Sequence, residues 1–319
     1  MNSTTSANAV PPVRLAHLSD VHITTRPLGW KGPDWFTKRF PGWINYRWLG
    51  RAYRFRQADE VLTALVAELR ARPPSRVIFS GDATALGFEA EFIRATLILG
   101  VGAPDALPGL AVPGNHDYYT PGVQNSGLFE RYFAPWQIGE RIDGAAYPFA
   151  QQVGPVWLVA VNSCTGNRAP WDAGGSVDAQ QLGRLAQLLE RLGPGPRILV
   201  THYPVALATG KPERRTHGLR NLADLVGVAA AGGVCLWLHG HRHGPYYLPR
   251  PSFAPFPVIC AGSATQHGMW SYNQYIIEGT RFHATRRVYS PEQRSFVEGD
   301  SFQLQLAPGA AAEAGKAVP

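Results

Sequence analysis

Residues 13–22 read VRLAHLSDVH, and residues 234–243 read VCLWLHGHRH. Each is a short apolar run that ends in a turn crowded with aspartate or histidine. Such a run, bounded by turn residues, reads as a buried strand. The polar groups beyond it do not belong in a core, because burying them unpaired is costly. Both stretches therefore predict strands that deliver polar side chains to one edge of a sheet.

The same pattern recurs between them. Arg76–Ser80 leads into Gly81 and Asp82, Leu110–Val112 into Pro113, Gly114, Asn115, His116 and Asp117, and Arg197–Thr201 into His202. Pro155–Asn162 and Pro257–Ala261 read as two further strands. Helical spacing separates them. Gln57–Ala71 carries apolar residues at 58, 61, 62, 65, 66 and 69, which lie on one face of a helix. Asp178–Leu192 opens with Asp178 as N-cap and Gln181 three positions on, and Gly193 and Pro194 end it. Leu219–Ala230 reads as a third, weaker helix. Strands alternating with helices predict an α/β layered domain.

In open α/β sheets, ligands bind beyond the carboxyl ends of the strands. Five strand ends here carry carboxylate, imidazole or amide groups and no thiolate. That donor set suits Mn, Fe or Zn over a soft-metal site. On an extended segment, Asp20 and His22 would point the same way and could share an ion. Six or seven ligands exceed what one tetrahedral ion takes. Two ions about 3.5–4 Å apart, bridged by a shared carboxylate, use them all and suit in-line attack on phosphorus. Taken singly, Asp20 is an ordinary turn residue, Asp82 a helix N-cap and His202 a satisfied loop histidine. The combination carries the reading.

The ordered set Asp20-x-His22, Gly81-Asp82, Gly114-Asn115-His116-Asp117, His202 and Gly240-His241-x-His243 resembles the signature of the metallophosphoesterase (calcineurin-like phosphoesterase) superfamily, in a bacterial phosphodiesterase-like form. The resemblance implies a four-layer αββα sandwich with two mixed sheets. It implies two divalent or mixed-valence ions, Mn and/or Fe with Zn as the alternative. Asp20, His22 and His243 would hold one ion, Asn115, His202 and His241 the other, and Asp82 would bridge them. A hydroxide between the ions would attack a phosphoester. His116 would lie by the leaving-group oxygen, protonating it or stabilising the transition state.

The match departs from particular branches. The longer second block of Ser/Thr protein phosphatases, with its extra Asp and Arg, is missing at Gly81-Asp82-Ala83-Thr84. UDP-diacylglucosamine pyrophosphatases carry Arg where His116 stands. The cyclic-nucleotide phosphodiesterases share the first and third blocks, which are widespread and fix no substrate. A phosphodiesterase is the leading expectation. The alternatives are a membrane-associated pyrophosphatase or phosphatase on a lipid-linked substrate, and a non-catalytic membrane-binding scaffold.

The remaining polar residues divide into candidates and bystanders. Arg242 and His267 are candidate substrate contacts. His17, inside the first strand, reads as a buried, hydrogen-bonded core residue, and alternation turns His239 away from the ligands. His217 and His283 read as loop or surface residues. Asp117 either orients His116 or closes its turn.

Residues 30–56 break the alternation. They hold Trp30, Trp35, Trp43 and Trp48 of the chain's nine tryptophans, among Lys31, Lys38, Arg39, Arg47, Arg51, Arg54 and Arg56. Just after the first ligand pair, this insert stands near the mouth of the site. Three readings fit it: a cap with a small tryptophan core, an amphipathic element for anionic lipid, and a platform stacking on nucleobases.

Composition sets the outer limits. The chain has 319 residues and is 45% hydrophobic, enough for a substantial core. Its net charge of +7 favours anionic partners or simply keeps it soluble. Cys164, Cys235 and Cys260 fit no zinc or redox spacing and suit a reducing compartment. Neither a signal peptide nor a stretch of about 18 apolar residues is visible. The expected domain runs over 13–304, with 1–12 and 305–319 as loose ends. The expected location is cytoplasmic, with peripheral membrane contact through 30–56, a phosphoester as the substrate, and no specific nucleic-acid partner.

Overall fold

A computed structural model describes residues 11–306. The expected loose ends, 1–12 and 305–319, fall largely outside the described residues. In chain order the first half holds β1 (Val13–Leu18), α1 (Arg39–Trp48), α2 (Arg51–Arg54), α3 (Ala58–Ala71), β2 (Arg76–Phe79), α4 (Glu89–Leu99), β3 (Gly109–Ala111), α5 (Pro121–Asn125), α6 (Leu128–Phe133), β4 (Glu140–Arg141), β5 (Phe149–Val153) and β6 (Val156–Ala160). The second half holds α7 (Ala179–Arg191), β7 (Arg197–Val200), α8 (Leu222–Ala231), β8 (Val234–His239), β9 (Tyr246–Leu248), β10 (Val258–Cys260), β11 (Ser271–Glu278), β12 (Arg281–Ser290) and β13 (Ser295–Gln305). Leu306 is buried and its N–H donates to Thr280 O, so the structured chain passes the expected boundary at 304 by two residues.

Two mixed sheets result. One has the order β13-β12-β11-β1-β2-β3, with β1, β2 and β3 parallel and the C-terminal meander antiparallel. The other has the order β4-β5-β6-β7-β8-β10-β9, with β6, β7, β8 and β10 parallel.

Alternation along the strands explains the layering. Leu15, Ile78 and Leu110 of the first sheet share a buried cluster with Leu158, Ile198 and Leu236 of the second. Their neighbours Leu18, Phe79 and Leu199 point the other way, into the cluster that includes the helices. There α3 contributes Val61, Leu62 and Leu65, and α7 contributes Leu185, Leu188 and Leu189. Each such side chain stabilises the fold by about 1.5–3 kcal/mol when fully buried. The expected four-layer sandwich is the observed one.

The insert runs from β1 to α3 as a 3-10 turn (Gly32–Phe36), α1 and α2. Trp30 stacks on Trp35 with ring centroids 4.6 Å apart and meets Phe88 at 5.0 Å. Leu28, Trp30, Trp43 and Tyr46 pack on a small cluster of Ala85, Leu86, Phe88 and Tyr119. Buried Arg39 pins the insert down: Nε donates to Leu86 O at 3.2 Å and Nη1 pairs with Asp34 at 2.5 Å. The insert therefore sits on the layered body beside the loop that follows β2. No helix among the described residues is long and apolar enough to cross a membrane.

Candidate metal centre

The loops after β1, β2, β3, β7 and β8 converge at the carboxyl ends of the parallel strands. Main-chain bonds knit the first two together: Asp20 N–H donates to Gly81 O at 2.9 Å and His22 N–H to Asp82 O at 3.0 Å. Gly81 has φ +100°, and a Cβ there would lie 2.5 Å from Gly114 N and 2.8 Å from His202 Nδ1. Only glycine allows the three loops to approach this closely.

The Asp20/His22 pair corrects one expectation. Extended alternation does not align these side chains, because Asp20 and His22 have φ 54° and 43°. Asp82, His241 and His243 share this left-handed backbone, at φ 60°, 69° and 54°. Such residues cost free energy and cluster where a site over-determines them.

The seven expected ligands form one cluster. Asp20 Oδ1 lies 3.3 Å from His243 Nε2 and 3.8 Å from His22 Nε2. Asp82 Oδ2 lies 3.5 Å from both His22 Nε2 and His202 Nε2. Asn115 Oδ1 is 3.1 Å from His202 Nε2 and 3.0 Å from His241 Nδ1.

Outer partners fix the rings. His22 Nδ1–H donates to Thr84 O at 3.2 Å, His202 Nδ1–H to Ser80 O at 2.8 Å, and His243 Nδ1–H to Gln266 Oε1. Each ring thereby presents Nε2 to the cluster, the orientation metal-binding histidines adopt. His22 Nε2 and His243 Nε2 stand 3.1 Å apart, two lone pairs aimed at each other. Buried Asp20 Oδ1 has no hydrogen-bond partner. A cation answers both anomalies, so the residues present fit a metal pair.

The electrostatics hold two rings neutral and draw positive charge to a third. Burial, reinforced by Arg51, His116 and His243, holds His22 well below the usual histidine range. Burial and His202 do the same to His241. Burial also works against charge on His202, but Asp82 and Asp20 outweigh it and raise that ring to about 9.

His116 lines the cleft beside this cluster, within ligand reach of His22 and Asp82. Its ring is already engaged: Nδ1–H donates to Ala85 O at 2.7 Å, and Nε2 accepts from Arg51 Nη2 at 2.9 Å. Asp117 closes the turn, accepting N–H groups from Gly114, Ala83 and Thr84, and does not orient the His116 ring. Arg242 reaches the cleft edge, where it pairs with Glu213 at 2.7 Å. His267 is not in the cleft lining; it packs on Trp270 and meets Arg56 at 2.9 Å. Its place after the strand-end loop is taken by Gln266. His217 is an exposed loop residue, as expected, and also borders the cleft. His17 is buried between Tyr275 and Ser80, and His239 bonds Gly240 O, outside the ligand groups.

The sequence reading missed Arg51, Lys38 and Gln266. All three line a cleft of about 600 Å³ over the ligands. Nothing in the run of basic residues separates Arg51 and Arg54, which line the cleft, from Arg56, which does not.

The family model described as calcineurin-like phosphoesterase matches residues 13–245. Solved structures share the fold. A dimetal phosphatase from Danio rerio superposes with TM-score 0.64 at 14% identity, over 94% of this chain and all of that one. The purple acid phosphatase PPD1 from yellow lupin gives 0.57 at 13% identity, over 92% of this chain and 54% of that one. A structure of PhoD gives 0.60 at 10% identity, over 93% and 70%. No curated protein matches the chain in sequence.

Proposed function

The chain belongs to the calcineurin-like phosphoesterase family, and from that membership we propose that it is a two-metal hydrolase of phosphodiesters. The observation that carries this is the shared position of Asp82, whose Oδ2 stands equally far from a histidine of each ligand group. Asp20, His22 and His243 would hold one ion, Asn115, His202 and His241 the other. When bound, such ions polarise phosphoryl oxygens and lower the pKa of water from 15.7 to about 7, supplying the nucleophile. Mn and Fe suit this oxygen- and nitrogen-rich set, and Zn also accepts it.

The chain's own groups do the rest. Gln266, Ser80 and Thr84 hold three imidazoles in one tautomer. The cleft over the ligands also takes in Asn45, Leu49 and Pro170, and its volume of about 600 Å³ has room for both substituents of a diester. His116 stands at its wall beside His22 and Asp82, where it would meet a departing oxygen. With Nδ1–H committed to Ala85 O and Nε2 accepting from Arg51, the arrangement supports charge stabilisation through the Arg51–His116 pair over direct proton donation.

A second reading has its own support. Leu49, which lines the cleft, is 70% exposed, and its neighbour Trp48 is 69% exposed. An apolar ledge beside a phosphoester site suits a lipid-linked substrate and peripheral contact with an anionic membrane.

The test is hydrolysis by stripped protein with Mn restored. Bis-p-nitrophenyl phosphate, p-nitrophenyl phosphate, a 3′,5′-cyclic nucleotide and a lipid-linked pyrophosphate are compared. Mn-dependent turnover with the diester preferred is expected. Preference for the lipid-linked compound selects the second reading. Full activity after stringent metal removal ends both.

A further inference from the structure

Buried cations require counter-charges, and a folded protein seldom leaves one without. The buried or cleft-lining arginines of this chain mostly obey. Arg39 pairs with Asp34, Arg220 with Asp172 at 2.6 Å, and Arg242 with Glu213. Three cleft-lining cations of the insert do not; of these Arg54 is exposed to solvent, while Lys38 and Arg51 are not. Lys38 is 7% exposed, and its Nζ bonds only the main-chain oxygen of Asp172, at 3.3 Å, and rests 4.7 Å from the Tyr119 ring centroid. Arg51 meets His116 Nε2 at 2.9 Å and His22 Nδ1 at 3.3 Å, ring nitrogens and not carboxylate oxygens. Neither forms a carboxylate pair among the described residues. Both line the same cleft, with Asp82, Asn115 and His116 at its floor.

A neighbouring carboxylate does not resolve this. Asp172 and Asp82 attract Lys38 through space and Asp82 attracts Arg51, but Asp172 pairs with Arg220, and Asp82 Oδ1 accepts the His116 N–H while Oδ2 faces His22 and His202. Arg39 and the tryptophan cluster anchor the insert to the domain, so Lys38 and Arg51 are held in position and not left to find solvent. A guanidinium presents a planar fork of donors suited to phosphoryl oxygens, and an ammonium a point charge.

We propose that Lys38 and Arg51 form the phosphoryl-binding pair of the cleft, the substrate's non-reacting oxyanions supplying these two cations with the counter-charge that the protein does not provide. This rests on the phosphoester reading. It makes residues 30–56 part of the active site, and it selects substrates whose phosphoryl group keeps at least one charged oxygen free to turn toward the insert. Inorganic phosphate, the simplest such anion, should bind in the same place.

The experiment uses the full chain loaded with Mn, and titrates inorganic phosphate by calorimetry alongside kcat and KM for the preferred ester. The proteins are wild type, Arg51→Ala, Arg51→Lys, Lys38→Met and, as a control from the same insert, Arg47→Ala. Metal content is measured for each. Arg51→Ala should weaken phosphate at least tenfold and Lys38→Met several-fold, with bound metal unchanged. Arg51→Lys should recover part of the loss, and Arg47→Ala should differ from wild type by less than about twofold. Wild-type phosphate affinity in Arg51→Ala overturns the proposal. So does an equal loss in Arg47→Ala, which would reduce the effect to a general positive field. Should Arg51→Ala not fold, Arg51→Lys and Lys38→Met decide the matter by the same titration. Arg51-dependent phosphate binding without turnover of any ester keeps the pair and rejects the hydrolase. Turnover with Arg51-independent binding does the reverse.

Discussion

The backbone N–H of His116 donates to Oδ1 of Asp82 at 2.7 Å, which turns Oδ2 toward His22 and His202. One carboxylate is thereby divided between a structural task and the bridging role proposed for it. Asp82→Ala removes both. We expect no measurable turnover, fewer than two ions per chain, and a far-UV spectrum like that of wild type. Elemental analysis and circular dichroism check this together. Two bound ions with normal turnover would rule out the bridging role.

Gly240 lies where the β8 loop crosses the β1 loop. A Cβ there would collide with Ser19 Oγ and come within 2.6 Å of Asp20 Oδ2, the oxygen that accepts the His241 N–H at 2.9 Å. Gly240→Ala must push the two ligand loops apart. Overpacking of this kind costs about 1–3 kcal/mol. Both Tm and metal affinity should fall, and calorimetric titration of Mn into the variant measures the second. An unchanged Mn affinity would show that the loops absorb the methyl group without moving the ligands.

The residues of the metal centre were legible because each follows a buried parallel strand. Such strands read as apolar runs, and the polar block after each is conspicuous. The C-terminal meander hid for the opposite reason. In β12 and β13, buried Phe282, Ala284 and Phe296 alternate with exposed or half-exposed Arg281, Arg287, Gln303 and Gln305, so half of each strand looks like loop. The helix α4 escaped notice because Ile93 and Leu97 face solvent and blur its periodicity. Lys38 and Arg51 were visible as charges in the insert, but which charges turn inward depends on how Arg39 and the tryptophans dock it. That information lies in tertiary packing.

His116→Ala should retain both ions, since its ring nitrogens are engaged by Ala85 and Arg51. A loss in kcat of about a hundredfold is expected, the lower range for a positioned group acting on the transition state. If the group stabilises charge through Arg51, the loss should be similar for p-nitrophenyl and alkyl esters. A loss confined to the poor alkyl leaving group would restore His116 as a proton donor. Loss of metal would make it a ligand.

Glu91 offers a pH dependence unconnected with the metal centre. Its side chain is fully buried under the loop that receives the insert. Oε2 accepts the N–H groups of Leu86 at 2.9 Å and Phe88 at 3.1 Å, while Oε1 has no partner. Burial raises the carboxyl from 4.5 to about 7, against the opposing pull of those two N–H groups and Arg39. A carboxyl raised in the folded state contributes stability that is complete below the unfolded value and is lost as pH climbs through the folded one. The window is therefore about pH 4.5 to 7, and the full loss is bounded at about 3 kcal/mol. Glu91→Gln keeps an acceptor for Leu86 and Phe88 but cannot ionise. Thermal melts of both proteins in chelator, from pH 5 to 8, should show the variant gaining on wild type as pH rises, with metal effects cancelling in the difference. Melting curves that stay parallel across this range would mean that Glu91 does not ionise within it.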